Sequence, residues 1–191
     1  MNLTKSNEIE TKNVRFRWME PDEVAKIGDI DRSERIRSGY QMVAGELQQI
    51  EVNWDSPSWV KEGSGDYSVA AQIRFCQEHL ARNGRMFGAF VSDKLVGIGL
   101  IQPEIELGTA QLAFLHVSKP YRQYGIGKQI TATLITEAQK TGAVRMYVSA
   151  TPSTSTVNFY MSQGFKPTDQ PIPELFELEP EDIHMVKIFT Q

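Results

Sequence analysis

Cysteine is almost absent from this 191-residue chain. Cys76 stands alone, so no disulfide can close within the chain, and a reducing, cytoplasmic setting is expected. Histidine is nearly as scarce: His79, His116 and His184 lack the spacing of a metal-ligand set, and no bound metal is expected. Positive charge is not in excess either. The formal net charge is −4, whereas a nucleic-acid binder needs a basic face. No apolar run approaches the ~20 residues of a membrane span, so no membrane partner is expected. The opening MNLTKSNEIETKN lacks the apolar segment of a secretory signal, and 1–12 reads as a flexible polar tail. No repeat with a period of about 20–50 residues occurs, which excludes a solenoid. What remains is one domain, 13–191, long enough to bury a core without covalent staples.

The pattern of elements points to an α/β fold. VRFRW (14–18) alternates as a strand, and MEPDEVAKIGDIDRSERIR then spaces Val24, Ile27 and Ile30 as a helix does behind Pro21. Residues 39–52 suggest a hairpin about Ala44-Gly45, and 53–66 a loop broken by Pro57, Gly63 and Gly65. A helix over 67–82 sets Val69, Ile73, Cys76 and Leu80 on one face, with Cys76 a packing residue rather than a reactive thiol. RMFGAFV and LVGIGLI form a hairpin across Ser92-Asp93-Lys94, and AQLAFLHV (110–117) reads as a buried strand. A helix to Lys140 stopped by Gly142, a strand over 144–150 and a helix from Pro152 to Gln163 stopped by Gly164 follow. FKP then begins an extended segment, and HMVKIF (184–189) is the last strand. Antiparallel strands followed by strand–helix–strand imply a mixed, mostly antiparallel sheet flanked by helices.

Chemistry concentrates in PYRQYGIGKQI (120–130). Lys119, Arg122 and Lys128 are unopposed by any acidic residue between Val117 and Gln129. A helix start leaves N–H groups unpaired, and Gly125 and Gly127 let the backbone approach a phosphate closely. A nucleotide P-loop does not fit, because Arg122 occupies its first glycine position and Gln129 its Ser/Thr. A dinucleotide fingerprint fails at Ile130, where a third glycine is required.

The arrangement Arg122-Gln123-Tyr124-Gly125-Ile126-Gly127 after a strand resembles the acetyl-CoA-binding motif Q/R-x-x-G-x-G/A of the GNAT superfamily of N-acetyltransferases. Downstream, Phe159-Tyr160-Met161-Ser162-Gln163-Gly164-Phe165 is similar to that superfamily's F-Y-x-x-x-G-F segment. The resemblance covers roughly 85–191 well and the first 84 residues only in outline. It implies the GNAT fold and an acetyl-CoA-dependent transfer to an amine. The pyrophosphate then lies on the N–H groups of Gln123, Tyr124, Gly125, Ile126, Gly127 and Lys128, beside Arg122. The pantetheine arm runs along 112–117, past Leu115 and Val117, where that strand splays from 144–149. The N–H near Val117 polarises the thioester carbonyl, a contribution worth ~3 kcal/mol in other enzymes.

The resemblance makes Tyr160 the acid that protonates the departing thiolate, a reasonable match of a phenol with pKa about 10 to a thiol with pKa about 8.5. The alternative is that Tyr160 only packs. Ser153 falls near a position that contacts the cofactor in many members, and it also suits a helix cap. The histone-modifying branch carries a glutamate where this chain has Gln111, which cannot take a proton. Glu104 and Glu106 acting through water, or His116, are the other candidate bases, and each is equally a structural residue. Segment 166–183 holds six acidic residues against one lysine. Among them Glu174, Glu177, Glu179 and Asp182 either draw in a cationic amine or form a solvated loop. Tyr40, Trp54 and Trp59 either cover an acceptor or cover the sheet. A small-molecule amine acceptor is expected and a homodimer is compatible with the family. A non-catalytic acyl-CoA-binding or sensing domain, or docking of a protein partner on the acidic segment, are the alternatives.

Overall fold

The computed structural model describes residues 13–189, and the 1–12 tail expected from sequence lies outside the described residues. The most continuous apolar run, Leu95–Ile101, forms the heart of β5 (Lys94–Glu106), buried from Leu95 to Gln102. A strand buried on both faces needs cover on both. Its antiparallel neighbours are β4 (Arg85–Val91) and β6 (Thr109–Val117). β1 (Arg15–Trp18) extends the sheet beyond β4. On the other side lie β7 (Arg145–Ala150), β9 (Ile183–Ile188) and the short β8 (Lys166–Pro167), giving the order β1-β4-β5-β6-β7-β9-β8. Only β6 and β7 run parallel among these neighbours. This is the mixed, mostly antiparallel sheet expected from sequence.

One face of the sheet carries α2 (Ile126–Lys140) and α3 (Thr154–Ser162), whose Ile126, Ile130, Leu134, Ala138, Val157 and Tyr160 join the core. The other carries α1 (Val69–Leu80) and a 3-10 helix over Pro21–Asp29, with Cys76, Val24, Ile27 and Ile30 buried against Ile98, Leu100 and Phe114. Cys76 is fully enclosed and burial pushes its thiol up to about 12, so packing is its role. α2 sits directly on β5 because Gly97 has no side chain. A Cβ there would lie 2.8 Å from Ile126 Cγ2. That seat fixes the height of the α2 N-terminus above the sheet.

The N-terminal third differs from the sequence expectation. Val24, Ile27 and Ile30 are spaced strictly by three, the period of a 3-10 rather than an α-helix, and the helix stops at Asp29. Glu34–Arg37, expected as helix, instead open β2 (Glu34–Val43), paired with β3 (Glu46–Ser56). The hairpin thus extends past 39–52 at both ends and takes in the first residues of the expected loop. Its turn is where the sequence put it: Ala44 and Gly45 both have positive φ (50° and 84°), as a tight two-residue hairpin turn requires. A further helix, α4 (Pro173–Leu178), occupies the middle of the acidic segment. Among the described residues no helix is long and apolar enough to cross a membrane.

Candidate active site

The site begins where the sheet fails. β6 and β7 pair only at Thr109↔Arg145, Ala110↔Met146 and Gln111↔Tyr147, and beyond Gln111 the two strands part. On its β5 side β6 stays paired, with Val117 opposite Gly97 and Leu115 opposite Gly99. Ser118 N–H donates to the Val96 carbonyl at 2.8 Å. Hydrogen-bonded and non-bonded pairs alternate along an antiparallel ladder, so the Val117 and Leu115 pairs are non-bonded. Their N–H groups point away from β5, into the opening.

At the head of the opening the chain turns through a 3-10 turn, Lys119–Tyr121, into α2. Gln123 (φ 69°) and Gly125 (φ 80°) adopt left-handed backbone, and Gly125 is the N-cap of α2. The N–H groups of Gln123 to Lys128 donate to no protein group among the described residues, the first backbone bond of the helix being Gln129 N–H to Gly125 O at 3.0 Å. They form a run of free donors at the positive end of a helix dipole. Gly127 lies under Phe159, and a Cβ there would sit 3.3 Å from its ring. Tyr124 and Lys128 are exposed, while the Ile126 side chain is buried below.

Arg122 is engaged within the protein. Its guanidinium donates to the Val117 carbonyl (3.0 Å), the Arg32 carbonyl (2.8 Å) and Glu34 Oε2 (3.0 Å). The other oxygen of Glu34 accepts from Ser155 Oγ at 2.6 Å, at the start of α3. One carboxylate therefore ties the loop, the hairpin and α3 together. Sequence reasoning missed Glu34, whose partners stand 88 and 121 positions away. The hairpin crosses this end of the sheet: Tyr40 N–H donates to the Pro152 carbonyl (2.8 Å), and Tyr40 Oη bonds Asn158 Oδ1 (3.0 Å).

Ser153 is a helix cap, buried and accepting from Thr156 N–H at 3.2 Å. Two α3 turns on, Tyr160 is buried against Phe159 and Phe165. Its hydroxyl has no hydrogen-bond partner among the described residues, so it is not tied to the backbone. Burial, and then the nearby Asp182 carboxylate, raise this phenol above its ordinary value.

The candidate bases separate by position. Glu106 pairs with Arg145 (2.5 Å) beside Thr109, at the closed end of β6, and Glu104 is exposed on the same end of β5. Gln111 is buried at the last paired rung. His116 lies edge-on to Trp59 and Phe114, and burial together with Arg32 and Arg122 lowers its pKa to about 3. Trp59 covers the sheet, stacked on Phe114 at 5.7 Å, whereas Trp54 stays exposed on β3. In the acidic segment Glu174, Glu177 and Glu179 are exposed and only Asp182 is partly enclosed. Among the described residues no group of three or more His, Cys, Asp or Glu is arranged to hold a metal.

Comparison with known proteins agrees with this geometry. Residues 50–165 match the model of the acetyltransferase (GNAT) family. No curated protein matches the sequence. Among solved structures, nourseothricin acetyltransferase is similar over 92% of this chain and 98% of its own, at TM-score 0.69 and 15% identity. A Bacillus anthracis protein assigned as a streptothricin acetyltransferase, solved with acetyl coenzyme A, gives 0.70 and 16% over 93% and 99%. The PaiA N-acetyltransferase of Thermoplasma acidophilum, solved with coenzyme A, gives 0.61 and 17% over 93% and 99%. At such identities the likeness is one of fold. The parted strands, the glycine-capped donor loop and the family match over more than half the chain agree: this chain belongs to the GNAT family of acetyltransferases.

Proposed function

We propose that residues 13–191 form one N-acetyltransferase domain that moves the acetyl group of acetyl-CoA directly to a primary amine of a small-molecule acceptor. The observation that carries this reading is the run of unpartnered N–H groups, Gln123 to Lys128, at the head of the parted strands. Six donors with no internal partner suit the oxygens of a pyrophosphate, and a Cβ-free Gly125 leaves them open. Arg122 then acts by holding the Val117 carbonyl and the loop in place rather than by touching phosphate. The outward N–H group of Leu115 suits an amide carbonyl of a pantetheine arm, and that of Val117 lies further along the same strand. Acetyl-CoA supplies an activated acyl group on a thiol leaving group.

In this reading Val117 N–H donates to the thioester oxygen where negative charge grows as nitrogen attacks. Tyr160, buried and with a free hydroxyl, keeps its proton at neutral pH and gives it to sulfur. Ser153 serves by capping α3, which holds Tyr160 in register.

The test is release of CoA thiol from acetyl-CoA with a panel of a polyamine, an amino sugar, an amino acid and a peptide. Saturable, amine-dependent release with an N-acetylated product supports the reading. Gln111, at the place of the base in the histone-modifying branch, favours a second one, an acyl-CoA-binding domain without turnover. Tight acetyl-CoA binding with no product from any amine would establish that alternative.

A further inference from the structure

The reaction needs a group that takes a proton from the acceptor, since an alkylammonium has no lone pair to attack with. The residues around the opening leave few choices. His116 is held neutral between Trp59 and Phe114 beside two cations and binds protons weakly. Both ring nitrogens of His184 are engaged, Nδ1 with Tyr147 Oη at 2.7 Å and Nε2 with the Glu179 carbonyl at 3.1 Å. Glu104 and Glu106 belong to the closed end of β6, and Gln111 does not ionise.

Asp182 remains. It immediately precedes Ile183, which opposes Ala150 at the C-terminal end of β7, the strand that parts from β6. Ile183 packs in the same core cluster as Ala150, Val157 and Tyr160. Asp182 N–H is pinned to the Glu179 carbonyl at 3.1 Å. Its carboxylate has no hydrogen bond or ion pair among the described residues, although the side chain is partly enclosed and near enough to Tyr160 to act on its phenol. A partly enclosed carboxylate with both oxygens free is open to a cationic partner that the folded chain alone does not contain.

We propose that Asp182 receives the acceptor's ammonium and takes its proton, making it the catalytic base of the transfer. The inference rests on the transferase reading above. The ammonium gives one proton to the carboxylate, and the freed lone pair forms the C–N bond as the C–S bond breaks with its electrons on sulfur. Tyr160 supplies the sulfur proton, and the second proton lost by nitrogen restores the phenol. Asp182 returns its proton to solvent, so the products are amide, thiol and one proton. Burial, and then Glu179, raise the carboxyl to about 7, which suits a base working at neutral pH. The titratable groups that act with it are Glu179 of its own turn and Tyr160 of α3, and Glu181 and His184 are its neighbours along the chain.

Asp182→Asn and Asp182→Glu, assayed with acetyl-CoA and either n-butylamine or hydroxylamine at pH 7, test this. Butylamine is protonated there and hydroxylamine largely neutral. The Asn variant is expected to lose about 100-fold on butylamine but under about 3-fold on hydroxylamine, with the Glu variant recovering part of the loss. Acetyl-CoA affinity by calorimetry stays at the wild-type value in both variants. Equal losses on the two amines, or none on either, overturn the base assignment while leaving the transferase reading intact. No product from either amine with the wild type, nor from any amine of the panel above, overturns both.

Discussion

Between Val117 and Lys128 the chain assembles one wall of its cleft from consecutive residues and mostly from backbone. The facing wall draws Glu34 and Tyr40 from the hairpin and Asp182 from the turn before β9. The first wall is a property of local conformation: a glycine cap, a left-handed residue and a helix dipole. The second exists only once distant segments have docked, and its parts are side chains. On the function proposed above, cofactor binding depends on the first wall, and acceptor choice varies with the hairpin and the acidic segment.

The largest effect should come from breaking the local wall. Gly125→Asp puts a carboxylate and a Cβ on a left-handed residue facing the donor loop. Acetyl-CoA affinity by calorimetry should fall by at least about 100-fold, a loss of about 2.7 kcal/mol. The left-handed backbone should cost the fold only ~1–2 kcal/mol, read as a Tm drop of roughly 2–8 °C. Tyr160→Phe should follow, with kcat down about 100-fold and the acetyl-CoA Kd unmoved. Equal weakening of kcat and acetyl-CoA binding would show that the hydroxyl serves binding rather than proton transfer.

Glu34→Gln probes the link between the two walls. It weakens the bonds to Arg122 and Ser155 together, and kcat/KM should fall about 10-fold, or ~1.4 kcal/mol. A change in acceptor KM alone would assign Glu34 to the acceptor side only. The smallest effect is on stability. The carboxyl of Asp182 titrates at about 7 in the fold against an ordinary 3.8, so its protonated form stabilises the fold at low pH. That contribution is lost as pH rises through 7. Asp182→Asn should therefore be more stable than wild type at pH 8 by on the order of 1 kcal/mol, after allowance for solvent screening. The gap should close near pH 4, measured by thermal unfolding.

The contrast between the walls also explains what could be read from the sequence. Gly125, Gly127, the β6 strand and the Phe159-Tyr160 pair were legible because their geometry follows from neighbours within a few residues. The hairpin turn at Ala44-Gly45 was legible for the same reason, but not the strand at Glu34–Arg37. Its pairing with Trp54, Asp55 and Ser56 overrode a local pattern that looked helical. The charge of Arg122 was legible, and its three partners within the protein were not, because charge shows in a sequence and partners do not. Asp182 was one of six acidic residues in its segment until the fold left it alone partly enclosed.

The most direct test of the account is amide hydrogen exchange across the chain, with and without acetyl-CoA. Six N–H groups that lack a protein partner should acquire one, so exchange should slow over 123–128 and at Leu115 and Val117, with no such change on adding ATP. Protection that falls elsewhere while 123–128 exchanges as before would contradict the assignment of this loop and the mechanism built on it.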